Sequence, residues 1–340
     1  MFLKLLLLFE LFSQGRSPIE TSRVGENNSA EQCRSCHVAQ YNEWRSSRHR
    51  VAWSNDFFQF DYRQNKRQWC RNCHIPLAAQ QESDPAAIAL RDEGINCITC
   101  HVRGDTFFAK FKRKTSPHNT KALPAFGTDK FCEGCHQFNF PRFGDHGEFK
   151  NYTEEPMQET VSQFREGPFA KSHTCRDCHA KSPGGHSYPG GHDLSMLRQA
   201  LAFRVCKRDT TVHTRLTNRG AGHNVPTGDV HRHIVVKAWR SNAPEHLVEA
   251  FYGRRFKPVL EGGKVTIWDS TLPPNTYRDW TFSADALGGA QDEPINIEVR
   301  FLFGSHESYL PPFSEAPHST VYRVRAPLGD LTSCSAVSPG

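Results

Sequence analysis

Cysteine and histidine recur in one arrangement five times along this chain: Cys33-Arg-Ser-Cys36-His37, Cys70-Arg-Asn-Cys73-His74, Cys97-Ile-Thr-Cys100-His101, Cys132-Glu-Gly-Cys135-His136 and Cys175-Arg-Asp-Cys178-His179. Two thiols three positions apart can reach the two vinyl groups of one porphyrin and form thioethers. The His that follows then falls under the iron and supplies an imidazole. Each copy therefore reads as an attachment site for a c-type haem. Zinc knuckles and redox-active CxxC pairs use similar cysteine spacings, but neither explains a His after every pair. Ten of the twelve cysteines are used this way. The reading assigns them to five covalently attached haems c, with His37, His74, His101, His136 and His179 as the proximal ligands.

The second axial position of each iron separates electron carriage from catalysis. A second imidazole closes the iron; water or nothing leaves a place for substrate. Of 18 histidines, thirteen lie outside the motifs, against three methionines in the whole chain. The supply favours iron held between two histidines, at low potential.

The elements that must position these groups fall into two textures. All five motifs lie between Cys33 and His179, and the last 130 or so residues contain none. In the motif-bearing half the spacing predicts short helices, among them Ala39–Ser54, Pro85–Glu93 and Thr160–Glu166, alternating with Gly- and Pro-rich loops such as Ser182–Gly191. Asp193 is a fitting N-cap for a further helix over Leu194–Phe203. After Val205 the apolar pattern shifts to period two. Strands are predicted over Thr210–Thr217, His233–Trp239, Lys264–Asp269, Tyr277–Phe282, Ile295–Phe303 and Val321–Val324, separated by turn signals such as Asn218-Arg-Gly220 and Pro273-Pro-Asn275. The expected fold class is α+β: a haem-packed domain over 31–204 with short helices and long loops, then an antiparallel β-sandwich over 205–334. Hydrophobic residues make up only 37% of the chain, but there are 24 Phe. That composition fits a core built partly from porphyrin faces with aromatic rings against them. Cys206 and Cys334 bracket the second domain. In an oxidising compartment they can pair, although spacing alone does not bring them together.

Several phrases around the motifs resemble the cytochrome c554 group of multihaem proteins. They are Tyr41-Asn-Glu-Trp44 with Ser47-Arg-His49, Glu93-Gly-Ile-Asn-Cys97 with Cys100-His-Val102, Phe131-Cys132 through Cys135-His-Gln-Phe138, and His186 through Gly190-Gly-His-Asp193. Gly222-His-Asn-Val-Pro-Thr-Gly228, in the β-rich part, is similar to larger members of that group. The resemblance spans roughly residues 30–230. It implies His49, His118, His186, His192 and His223 as distal ligands. His146 and His173, which the resemblance does not call for, are held in reserve. His231 and His233 alternate on a predicted strand and read as sheet-face residues.

The formal charge of +6 belongs to the polypeptide. Five ferric haems, each with two propionates and a core charge near +1, add about −5, so the loaded protein is close to neutral. A basic run at Lys110, Lys112, Arg113 and Lys114 suits either an acidic redox partner or haem propionates. No nucleic-acid signature is present. Residues 1–15 read as a secretory signal, with Lys4 ahead of Leu5–Phe9 and Ser13-Gln-Gly15 as a small-residue cleavage region, although Glu10 interrupts the apolar stretch. Residues 16–30 form a polar leader. No segment is long and apolar enough to span a bilayer. Covalent haem attachment of this kind takes place outside the cytoplasm, so a periplasmic or extracellular protein is expected.

The leading functional reading is a relay that passes electrons between redox partner proteins after loading by haem maturation machinery. A subunit of a haem polymer, as a homo-oligomer or filament, is a variant of it. The alternative is an oxidoreductase with one open haem acting on a small nitrogen or sulfur compound. A third class treats the β domain as a binding module served by the haems.

Overall fold

The computed structural model describes residues 19, 28–111, 117–118, 120–126, 128–259, 262–290, 292–304 and 318–334. The signal over 1–15, most of the leader over 16–30, and Lys112, Arg113 and Lys114 lie outside the described residues. The chain is mixed α+β, with short helices and mostly antiparallel sheets. It divides into two units. The first comprises Met1–Val161, Phe169–Pro189 and Leu260–Gly263; the second comprises Ser162–Pro168, Gly190–Val259 and Lys264–Gly340.

In the first unit, helices are short because the sequence stops them. The helix predicted over Ala39–Ser54 ends at Arg45. Ser46 turns its hydroxyl onto the carbonyl of Glu43 at 3.0 Å, competing with the backbone ladder. The chain then leaves helical geometry, and the His49 carbonyl accepts the Ile95 amide at 3.0 Å. Gly94 makes that approach possible: it sits at φ +52°, and a Cβ there would lie 2.6 Å from the His49 carbonyl oxygen. The Pro85–Arg91 helix starts on Asp84, whose carboxylate accepts the amides of Ala86 and Ala87 at 2.9 and 3.0 Å. A two-stranded hairpin, Gln137–Phe143 with Phe149–Glu159, follows the fourth motif and was not predicted. It carries Pro141 and Pro156 and slips register at three points, so no period-two pattern announces it.

Apolar packing in this unit is sparse. One cluster joins Phe108, Leu123 and Phe126; another joins Ile19, Leu77, Ile98 and Val102. Such small clusters cannot support a unit of this size alone, which is the condition under which cofactor faces serve as core.

The second unit has an ordinary core. A five-stranded antiparallel sheet runs in the order Lys264–Asp269, Ala243–Pro258, His233–Arg240, Ile295–Leu302, His318–Ala326. A three-stranded antiparallel sheet runs Tyr277–Ser283, Thr211–Asn218, Leu201–Arg208. Both contribute to one cluster: Leu201, Val212 and Leu216 from the smaller sheet meet Ile234, Val236, Ile295, Ile297 and Val299 from the larger. The alternation of Val212, Thr214, Leu216 and Asn218 as buried positions is the pattern that made Thr211–Asn218 legible. Asp193 accepts the Met196 amide at 2.8 Å and starts the Leu194–Ala200 helix as expected. That helix stops three residues short of the predicted Phe203, because Leu201–Arg208 is recruited into pairing with Thr211–Asn218.

Cys206 and Cys334 form a disulfide with their Cα atoms 5.0 Å apart. Beside it, the Lys207 amide donates to the Thr332 carbonyl at 2.9 Å. The bridge closes a loop across a sequence separation of 128. Replacing both cysteines by Ser is expected to lower the unfolding free energy of this unit by about 4 kcal/mol, on a chain-entropy argument. Denaturant unfolding of the loaded protein checks this; an unchanged midpoint would show that the bridge adds nothing.

Candidate functional site

In an α-helix, positions i, i+3 and i+4 share one face. The attachment motifs use that geometry. The second lies within the Gln68–His74 helix and the fourth within Asp129–His136. The third and fifth are themselves helices, Cys97–His101 and Cys175–His179. Both thiols and the imidazole of each of these four motifs therefore face one side of a single turn. The first motif straddles a break: Cys33 lies in Glu31–Arg34, while His37 caps the Val38–Arg45 helix.

The caps hold two of the motifs in place. The Asn96 side chain accepts the Thr99 amide at 3.2 Å and donates to Glu93 at 2.8 Å, fixing the start of the third. Asp177 accepts from the amide and hydroxyl of Thr174 at 2.6 and 2.8 Å, fixing the fifth.

Ring orientation is set by backbone carbonyls. The Nδ1 of His74 donates to Ala52 at 2.6 Å, that of His101 to Phe108 at 2.9 Å, and that of His179 to Pro189 at 2.6 Å. The same contact anchors His186 to Gly184 at 2.5 Å and His223 to Asn224 at 2.8 Å. A proton held on Nδ1 leaves the Nε2 lone pair as the metal ligand. Loss of solvation in the packed interior, with a smaller push from neighbouring positive charge, pulls the pKa of His49 and of His101 down to about 4. Both are thus neutral, the form that binds iron.

Three histidine pairs face each other inside the first unit. His37 and His118 have ring centroids 6.4 Å apart, His49 and His136 6.4 Å, and His101 and His186 6.0 Å. Two imidazoles bound through nitrogen to opposite sides of one metal, at about 2 Å each, put their ring centroids about 6.3 Å apart. The pairs fit that span. Each pair joins a histidine of a Cys-x-x-Cys-His motif to one from outside the motifs. The residues therefore fit haem iron held between two histidines.

Aromatic rings line these positions. Phe107 stacks on His118 at 4.3 Å, Phe126 packs beside His101 at 4.8 Å, and Phe58 stacks on His74 at 3.6 Å. Tyr188 packs on His49 at 4.9 Å and edge-on to His186 at 6.2 Å. It thereby touches the outer histidine of two different pairs.

Residues 32–102 match the family described as cytochrome c554 and c-prime. The fold is similar to the crystal structure of a penta-haem cytochrome c552 from Thermochromatium tepidum, with a TM-score of 0.65 and 18% sequence identity, covering 88% of this chain and 99% of that one. The first three Cys-x-x-Cys-His motifs fall inside the matched residues, and the likeness of fold extends over most of the chain. No protein of curated function matches its sequence.

The match agrees with the reading of these motifs as attachment sites for haem c. Of the distal histidines expected from the sequence, His49, His118 and His186 each face a motif histidine. His192 and His223 belong to the second unit, where His192 stacks on Phe303 at 3.7 Å. No described helix of the chain is long and apolar enough to cross a membrane.

Contacts between motifs were not legible in the sequence. The sulfurs of Cys33 and Cys97 lie side by side, as do those of Cys73 and Cys135 and of Cys132 and Cys175. The first attachment motif thus adjoins the third, and the fourth adjoins both the second and the fifth. Arg103, within this group, is drawn down to about 10 by burial and held by the carbonyls of Thr99 and Val102. Sequence reasoning also missed Glu43 and Tyr188. The only signal for Glu43 was its place in the Tyr41–Trp44 phrase.

Proposed function

We propose that this cytochrome relays electrons along five covalent haems c in the cell envelope or outside the cell, with iron held mainly between two histidines. The observation that carries the reading is the three facing histidine pairs at 6.0–6.4 Å. Haem supplies a one-electron iron couple, and two strong-field imidazoles close the metal to substrate and leave electron exchange as its chemistry. Cys33, Cys36, Cys70, Cys73, Cys97, Cys100, Cys132, Cys135, Cys175 and Cys178 are the proposed thioether positions. His192 and His223 are proposed as further axial ligands beside the three paired outer histidines.

Contacts among the motifs support a path that does not follow chain order. It runs from the first site to the third, then to the fourth, with the second and fifth adjoining the fourth. Tyr188, against His49 and His186, bridges the third and fourth sites.

Intact mass of the mature, oxidised protein is expected to show five haems and the loss of the amino-terminal signal. Low-temperature EPR of the same sample is expected to show low-spin iron throughout. Four haems or fewer would overturn the count. A stoichiometric high-spin haem would favour the oxidoreductase alternative over the relay.

A further inference from the structure

Glu43 stands outside every attachment motif, yet its carboxylate organises the loop that presents His186. One oxygen accepts the Gly184 amide at 2.8 Å. The other accepts the His186 amide at 2.8 Å and the Ser182 hydroxyl at 2.8 Å. Ser182 also shares a hydrogen bond with Ser187 at 3.0 Å, so both ends of the loop are gathered on one side chain. The fit is close: a Cβ on Gly184 would lie 2.7 Å from the Glu43 carboxylate. Gly185 next to it takes φ +66°, a left-handed turn that suits glycine. Two glycines in succession leave the loop free to take many shapes of its own at 184–185, so the one it has is imposed from outside. Charge-assisted hydrogen bonds of this length are about twice as strong as neutral ones.

The helix that carries Glu43 begins at His37, the proximal histidine of the first motif. Six residues farther on, Glu43 grips the backbone of His186, whose ring faces His101 of the third motif at 6.0 Å. The Nδ1 of His186 meanwhile donates to Gly184, inside the same loop. Backbone position and ring orientation of this outer ligand therefore depend on one carboxylate held by another site's helix.

We infer that Glu43 is a positioning residue for the His101–His186 iron, and that it mechanically ties the first attachment site to the axial ligation of the third. The inference rests on the proposed assignment of His186 as an axial ligand. The Ser182 hydroxyl and the amides of Gly184 and His186 are its means, and no charge on the iron is needed for the effect.

The test uses the fully loaded protein in four variants: H186A, E43A, E43Q and S182A. EPR and potentiometric titration are read haem by haem. H186A should move one haem's share of the low-spin signal to high spin. E43A should perturb that same haem and no other. E43Q keeps one acceptor oxygen but turns an amide N–H₂ toward a donor, so it should give a smaller disturbance of the same signal. S182A removes one of three donors and should give the smallest; it also keeps the test open if E43A fails to mature. In the double variant E43A/H186A the signal should match H186A alone, because the two act through one ligand. If H186A changes no haem, the ligand assignment fails. If H186A opens one haem while E43A, E43Q and S182A leave it low-spin at its original potential, the assignment stands and the role given to Glu43 is wrong. A change spread over several haems in E43A would also overturn it, since that marks a general structural defect.

Discussion

Replacing Cys97 and Cys100 together by Ser is expected to give a protein one haem lighter whose first unit no longer unfolds cooperatively. The reason lies in where that unit keeps its apolar contacts. Its two clusters meet around the third motif: Cys100 packs against Phe108, Leu123 and Phe126, while Ile98 lies with Leu77 and Val102 in the other. Cys97 also adjoins Cys33, and Cys100 lies near the fourth motif. A porphyrin lost at this position takes with it several hundred Å² of buried apolar face, worth on the order of 10 kcal/mol at about 25 cal/mol per Å². That is comparable to the whole stability of an ordinary domain. Intact mass and thermal unfolding followed by circular dichroism check the expectation. A variant that lacks one haem yet melts sharply at the parent temperature would show that the small clusters suffice.

The second large effect is electronic. His49→Met is expected to raise the potential of a single haem, the one attached at Cys132 and Cys135, by roughly 0.1 V, well within the about 0.8 V range that axial ligands command. The pair assignment, His49 with His136 at 6.4 Å, makes the affected site a specific one, 83 residues or more away along the chain. A thioether draws less charge onto ferric iron than imidazole does, so the reduced form gains. His118→Met should act in the same way on the first haem, and the two shifts should add if the sites are separate. Spectroelectrochemistry of the single and double variants reads both. A shift at the first haem on changing His49 would overturn the pairing.

How much of this was legible in the sequence varies with the length scale of the cause. The attachment motifs were complete in five-residue phrases, because thioether spacing and the proximal imidazole are local chemistry. Thr211–Asn218 could be read because it buries alternate residues, and Ile295–Leu302 because Ile295, Ile297, Val299 and Phe301 alternate with polar residues in the sequence. Ala243–Pro258 could not: half of its 16 residues are exposed and its charged side chains break the alternation. The helix at Val38–Arg45 was drawn too long, since what ends it is the approach of Gly94, 45 residues downstream of His49. Outer histidines could be named, but their partners could not. His49 precedes the motif it faces by 83 residues at the nearest cysteine, and His186 follows its own by 85. Such pairings are set by tertiary packing, to which local periodicity is blind. Glu43 was hidden for a related reason: it acts on a loop that begins at Ser182.

The Cys206–Cys334 bridge has a mechanical meaning. It joins the strand that opens the smaller sheet to the end of the described chain, enclosing everything from Lys207 to Ser333. Tension applied across the two ends of the second unit runs through this covalent link and bypasses the sheets inside the loop. A separation of 128 residues corresponds to roughly 430 Å of extended backbone that a pull cannot release while the bond stands. Under load the second unit would then behave as a nearly inextensible clasp, losing at most its short leading helix and strand to a stretch that would unravel an unbridged sheet.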